Sequence, residues 1–352
     1  MPTFSSDAIL EMARRVLVGL GLRPDDAVIV AHELRDANLV GHDSHGVMRL
    51  MQYAGSIRDG HMRPESQSVV LTETPSWALL DGQFQFGQVT MTHALRLGID
   101  KAKKTGTATV LVRNCNHVGR LGSYTERAAQ QGFFCLMCVN APGPGGVAPY
   151  GGLDRILGTN PISMAAPYGE TQFVLDMTTS MVAEGKVRVA FQKGEPIPAG
   201  WIIDANGKPT TNPADLYGDP PGSPPGALLP LGGELGFKGF GLSVMIDLLA
   251  GIVSGSGIMR DDLPRGANGI WLYLLDIKAV IPPEEYDRWI EKYVAGIKNS
   301  RRQPGVTEIL MPGEIEQRRK AQRLQDGVSL PEETWRQINE LAKSVGVKLD
   351  DL

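Results

Sequence analysis

The sequence predicts an α/β fold, and three observations lead to it. In the middle of the chain, from Val69 onward, short apolar or β-branched runs alternate with helix-length stretches and glycine turns. The first forty residues and the tail from Glu314 carry helical spacing instead. At 352 residues and 42% hydrophobic, the chain can bury a substantial core and divide into two or three domains.

Taken in order, the first helix is expected to be capped by Ser6 or Asp7. It carries Ile9, Leu10, Ala13, Val16 and Leu17 at helical spacing and stops near Gly19 and Gly21. Asp25, after Pro24, is expected to cap a second helix running to about Val40. A third helical pattern follows Gly41-His42-Asp43-Ser44 and continues to about Ile57. Strand-like runs occupy residues 69–71, 78–80, 107–112, 133–139 and 173–175. Residues 218–233, rich in proline and glycine, read as an extended loop. Beyond it come an apolar helix pattern over 241–254, a strand over 270–277 and a helix over 283–298. A charged helical tail follows, ending in a helix from Pro331 or Glu332 to about Ser344.

Composition excludes several functions. The 35 basic and 39 acidic residues are well mixed and sum to −4, so no basic face suits nucleic acid or an anionic membrane. The longest apolar stretch, 242–253, is broken by Asp247 and falls short of the roughly 20 residues of a membrane span. The first residues carry Asp7 and Glu11 rather than a secretory pattern, which predicts a cytoplasmic protein. Three cysteines fit a reducing compartment. Cys135 and Cys138 have C-x-x-C spacing, but residues three apart on a strand face opposite ways, so buried free thiols are expected and no metal.

All six histidines lie at or before His117, so a proton carrier of that type must come from the first third. On a helix starting near Ser44, His45, Arg49 and Tyr53 would share one face. A 2-oxo acid needs such a set: a guanidinium for its carboxylate and an imidazole for its carbonyl oxygen. A plain surface helix with the same residues is the competing reading. His117 follows the 107–112 strand in Asn116-His117-Val118-Gly119-Arg120, at a turn where backbone amides point outward. Neither Gly-x-Gly-x-x-Gly after a strand nor a P-loop is present. The run from Gly232 to Gly241, with Phe237 and Lys238, offers an alternative phosphate cradle or a close-packing loop. Asp176 at a strand end could accept ribose hydroxyls or cap a helix, and Lys186 follows Gly185.

These segments occur together, in order, in one known family. Gly41 to Gly46 with Arg49 and Tyr53, Asn116 to Arg120, Gly158-Thr159-Asn160-Pro161, Asp176 to Ser180 with Gly185-Lys186, Pro198 to Trp201 with Asp204, and Phe237-Lys238-Gly239 together resemble the malate/L-lactate dehydrogenase family. The match spans almost the whole chain, ends with Pro312-Gly313-Glu314, and looks most like the bacterial hydroxycarboxylate dehydrogenases. The resemblance implies a non-Rossmann α/β nucleotide-binding sheet over residues 76–313. A helical domain would be built from 1–75 and 314–352, in a homodimer. It implies NAD or NADP as cofactor, undecided between the two, and a small carboxylic acid as substrate. His45 or His117 would exchange the proton, with Ser44 and Lys186 beside them and Arg49, Tyr53 and Thr159 around the substrate. Gly119, Arg120, Leu121, Gly122, Asp176, Met177, Thr178, Phe237, Lys238, Pro312, Gly313 and Glu314 would meet the cofactor.

Two departures bear on substrate. Many relatives carry Gly-His-Phe where this chain reads Asn268-Gly269-Ile270-Trp271. The family's cyclic-imine reductase has an acidic residue at the position of Lys186, and a lysine there favours an oxo acid over a cationic iminium. A cyclic imino-acid reductase on the same scaffold, and a non-redox lyase using His45 and Arg49, remain the rival readings.

Overall fold

The computed structural model describes residues 1–169, 171–263 and 266–352. The chain opens with β1 (Thr3–Phe4), α1 (Ser6–Gly19) and α2 (Pro24–Leu39), passes through a 3-10 turn at Asp43–His45, and continues as α3 (Arg49–Arg58). Next come β2 (Val69–Glu73), β3 (Trp77–Asp81), α4 (Gly87–Thr105), β4 (Thr107–Cys115), α5 (Leu121–Ala129), β5 (Phe133–Asn140), β6 (Ile162–Tyr168) and β7 (Thr171–Met177). A small lobe holds α6 (Glu184–Lys193), β8 (Ile202–Ile203), β9 (Pro209–Thr210), α7 (Ala214–Tyr217) and β10 (Ala227–Leu228). Then α8 (Phe237–Ile246) runs into a π-helical segment, Asp247–Val253. It is followed by β11 (Asn268–Asp276), α9 (Pro283–Lys298), α10 (Glu314–Asp326), β12 (Val328–Ser329) and α11 (Glu332–Ser344).

The α/β class holds, with local corrections. The cap of α1 is Ser5, whose side chain accepts the Ala8 amide at 3.1 Å, so Ser6 and Asp7 lie inside the first turn. Asp25 likewise lies inside α2, which begins at Pro24, where a missing N–H costs nothing. β6 escaped the sequence reading because its residues are mostly small and proline stands before it and within it. The 218–233 segment is not all loop: β10 pairs there with β8.

Seven strands form the main sheet, in the order β2-β3-β4-β11-β5-β6-β7. Among the described residues of this sheet only β3 and β4 run parallel, joined by α4, and every other neighbour is antiparallel. A glycine fingerprint serves the strand-to-helix turn of a parallel sheet, so this topology explains its absence. On one face α4 and α5 pack Met91, Leu95, Ile99 and Tyr124 against Val110, Cys135, Ile270 and Leu272. On the other, Cys138 joins Ile162, Ile246 and Ala250. The two cysteines thus occupy separate cores, as strand alternation requires, and burial pushes the Cys138 thiol up to about 12.

The two chain ends share a third core. Ile9, Met12, Val16 and Leu34 pack with Val328, Leu330, Ile338 and Ala342, and β1 pairs with β12. α10 packs against α2, which brings the tail beside the turn that carries His45.

Candidate functional site

The His45 turn does not form the helix its spacing predicts. Asp43–His45 is one 3-10 turn, Gly46 is extended, and α3 begins at Arg49. The cause is Asn38, buried on α2: its Oδ1 accepts the Val47 amide at 2.9 Å and its Nδ2 donates to Asp43 at 2.7 Å. A side chain at Gly46 would overlap that amide. Arg323 on α10 grips both oxygens of Asp43 at 2.7 and 3.0 Å. His45 therefore hangs from a braced turn and not from the face of α3.

The expected side chains nevertheless converge. Arg49 Nε donates to the Ser44 carbonyl at 2.6 Å and its Nη1 meets Gln52 Oε1. His45 Nδ1 lies 3.0 Å from Ser44 Oγ. Its ring stacks on His117 with centroids 5.4 Å apart. His117 sits between β4 and α5, where the Asn268 side chain accepts the Val118 amide at 3.1 Å. His117 Nδ1 lies 3.0 Å from the hydroxyl of Tyr53, which is fully buried.

Burial sets the charges here. It holds His45 down, to about 3, with the Arg49 cation adding to the effect. Burial, then Arg49, then His45 drives His117 well below its ordinary value. Tyr53 is pushed up to about 12 by burial. At neutral pH the site thus holds two uncharged imidazoles beside a guanidinium whose hydrogen bonds go to neutral groups. Such a guanidinium suits an incoming carboxylate.

Lys186 is exposed in the first turn of α6, next to Gly185, where a Cβ would lie 3.2 Å from that of Ser44. Thr159 accepts the Thr179 amide at 3.0 Å, and Thr179 in turn accepts the Leu231 amide at 2.8 Å. Thr178 Oγ1 donates to the Ser180 carbonyl at 3.2 Å, and Met177 packs against the Cys138 core. Phe237 meets the Tyr150 ring edge-on at 6.1 Å, and Lys238 is exposed.

A cleft of about 340 Å³ collects half of the remaining candidates: Arg120, Asp176, Pro312 and Gly313 line it. Asp176 accepts the Gly122 amide at 2.7 Å, so it caps α5, whose first residue is Leu121. Gly119 takes φ +81° before it, a conformation open to glycine. Arg120 is buried, and its Nε makes no hydrogen bond among the described residues, lying 3.8 Å from Asp176. Pro312 accepts the Val174 amide at 3.1 Å. Glu314 is already engaged, by Lys298 at 2.7 Å and the Met311 amide at 2.9 Å. Sequence reasoning passed over His42 and Glu316, which face this cleft 3.5 Å apart, and Gln88, which reaches Tyr53. His42 was visible in the Gly41 to Gly46 motif. Gln88 belongs to no motif.

The profile of the malate/L-lactate dehydrogenase family matches residues 4–339. The chain belongs to that family. It is 40% identical to malate dehydrogenase of Pyrococcus horikoshii over 97% of this chain and 95% of that one. It is 33% identical to hydroxycarboxylate dehydrogenase B of Escherichia coli, over 99% of this chain and 96% of that one. The solved structure of malate dehydrogenase from Pyrococcus horikoshii OT3 matches with a TM-score of 0.89 at 37% identity, covering 99% of this chain and 96% of that one. The resemblance read from the ordered motifs is therefore a family relationship, and the mixed sheet is the family's fold.

Proposed function

We propose that this dehydrogenase interconverts a small 2-oxo acid and its 2-hydroxy acid with a nicotinamide dinucleotide. The observation that carries the reading is the Arg49 guanidinium, hydrogen-bonded to neutral groups beside two uncharged, stacked imidazoles.

The cleft fits the cofactor's anionic part. Arg120 offers a buried cation whose Nε–H meets no partner among the described residues, and a Cβ at Gly122 would crowd Arg120 at 2.7 Å. Arg120, Gly119, Leu121, Gly122, Pro312 and Gly313 would hold the dinucleotide, with Asp176, Met177, Thr178, Phe237, Lys238 and Glu314 around it. Bound there, the reduced dinucleotide, NADH or NADPH, would supply the hydride in reduction, and its oxidised form would accept it in oxidation.

The chain's own part is positioning and proton exchange. Arg49 grips the substrate carboxylate, with Thr159 shaping the pocket. That carboxylate offsets the Arg49 charge that helps keep His45 neutral, so substrate raises the proton affinity of the imidazole when a proton is needed. With substrate bound, His45 takes up a proton from solvent, gives it to the substrate oxygen in reduction and returns to the neutral form; in oxidation the neutral imidazole takes the hydroxyl proton and releases it to solvent. Lys186, one residue past Gly185, where an added Cβ would lie 3.2 Å from that of Ser44, favours negative charge on that oxygen and disfavours a cationic iminium.

The enzyme is read as a cytoplasmic homodimer. Its three cysteines are free and buried, which suits a reducing compartment, and α8 with its π segment exposes Leu242, Met245, Leu248, Ile252 and Val253. The test is a panel of 2-oxo acids and one cyclic imino acid with NADH and with NADPH, followed by nicotinamide absorbance. At least one oxo acid is expected to turn over faster than the imino acid. The reverse order makes it an imine reductase, and no absorbance change with any acid rejects the redox reading.

A further inference from the structure

One buried polar side chain outside the motifs reaches the site. Gln88, in the first turn of α4, is fully buried and donates from Nε2 to the Tyr53 hydroxyl at 2.6 Å. That hydroxyl lies 3.0 Å from His117 Nδ1. A phenol has one proton to give. With Gln88 filling a lone pair of the oxygen, Tyr53 satisfies its own proton by donating to His117 Nδ1. With the Gln88 amide set Nε2 toward the oxygen, as in this structure, the opposite arrangement leaves the Tyr53 proton without an acceptor, and an unmet buried donor is costly; Gln88 Oε1, also buried, meets no partner among the described residues.

His45 is held in another way. Its Nδ1 faces the Ser44 hydroxyl at 3.0 Å, which donates or accepts by turning about its C–O bond. His45 keeps that hydrogen bond when its proton count changes, whereas His117 cannot gain a proton on Nδ1 without disturbing the Gln88–Tyr53 chain.

We propose that Gln88, acting through Tyr53, is a positioning residue that locks His117 in the neutral tautomer protonated on Nε2. His117 then gives a fixed hydrogen bond to the substrate oxygen while His45 exchanges the proton. The division of labour rests on the oxo-acid reading of the site; the tautomer does not.

Nitrogen-15 spectra of histidine-labelled protein without substrate read the tautomer directly, with His117→Gln identifying the resonances. The wild type is expected to show His117 protonated on Nε2 and bare on Nδ1. In Gln88→Met the two nitrogens should move toward a common averaged position, because the Tyr53 hydroxyl becomes free to accept. Tyr53→Phe should do the same and serves if Gln88→Met does not fold. In turnover, Gln88→Met should lower kcat about tenfold with KM changed less than about twofold, and should add nothing in a Tyr53→Phe background. A wild-type His117 protonated on Nδ1, resonances untouched by both variants, or an unchanged kcat in Gln88→Met overturns the proposal. If the tautomer moves as expected but no 2-oxo acid turns over, the oxo-acid reading fails and the hydrogen-bond chain stands.

Discussion

Arg49 and burial together keep protons off both imidazoles, and this has a consequence for stability. An unfolded histidine takes up a proton near 6.5, whereas folded His45 resists until about 3 and His117 is lowered in the same direction. The unfolded chain therefore binds more protons across that window, so stability is full above about pH 6.5 and is lost as the pH falls toward 3. Melting temperature is expected to drop between pH 7 and pH 5, and the drop should shrink in a His45→Gln, His117→Gln double variant followed by circular dichroism. An equal slope in both proteins rejects the charge assignment. His45, Arg49 and His117 were legible as residue types suited to an acid. Their arrangement was not, because a four-residue spacing assumes one continuous helix and Asn38 captures the Val47 amide that such a helix would use. Gln88 left no trace because a glutamine near a helix start reads like any polar surface residue until its burial is known.

At the scale of elements, the site depends on close approach. α4 begins at Gly87, where an added Cβ would overlap the carbonyl oxygens of Asn116 and His117, both backbone atoms with little freedom to yield. Gly87→Ala should cost about 2 kcal/mol or more of stability and displace His117, read by thermal melting and by a fall in kcat. A variant of wild-type stability and rate would mean that the α4 start can move without disturbing His117. The strands richest in valine, isoleucine and leucine were legible from the sequence. β6 was not, since Ser163, Ala165, Ala166 and Pro167 give little apolar alternation and its pairing with β5 and β7 is set by tertiary packing. The insertion of β11 between β4 and β5 is equally invisible locally, because its partners lie far away in sequence.

At the scale of the whole molecule, the tail closes on the head. α10 carries Arg323 to Asp43 and Glu316 to His42, so the C-terminal segment fixes the turn that holds His45. The helical character of both ends was readable from periodicity, and their union in one core came from the family resemblance. We propose that subunits associate through the apolar face of α8 and its π segment. Met245→Asp with Ile252→Asp is expected to convert a dimer to a monomer in light scattering, and a wild-type monomer would contradict it. We propose that Arg49 recognises a carboxylate at the reacting centre. Steady-state turnover of a good 2-oxo acid and of the ketone lacking its carboxylate, in wild type and in Arg49→Lys, tests it most directly. Wild type should favour the acid strongly, and Arg49→Lys should raise KM for the acid about ten- to a hundredfold while leaving the ketone nearly unchanged. Equal loss on both substrates, or none on the acid, would mean that Arg49 does not hold the carboxylate.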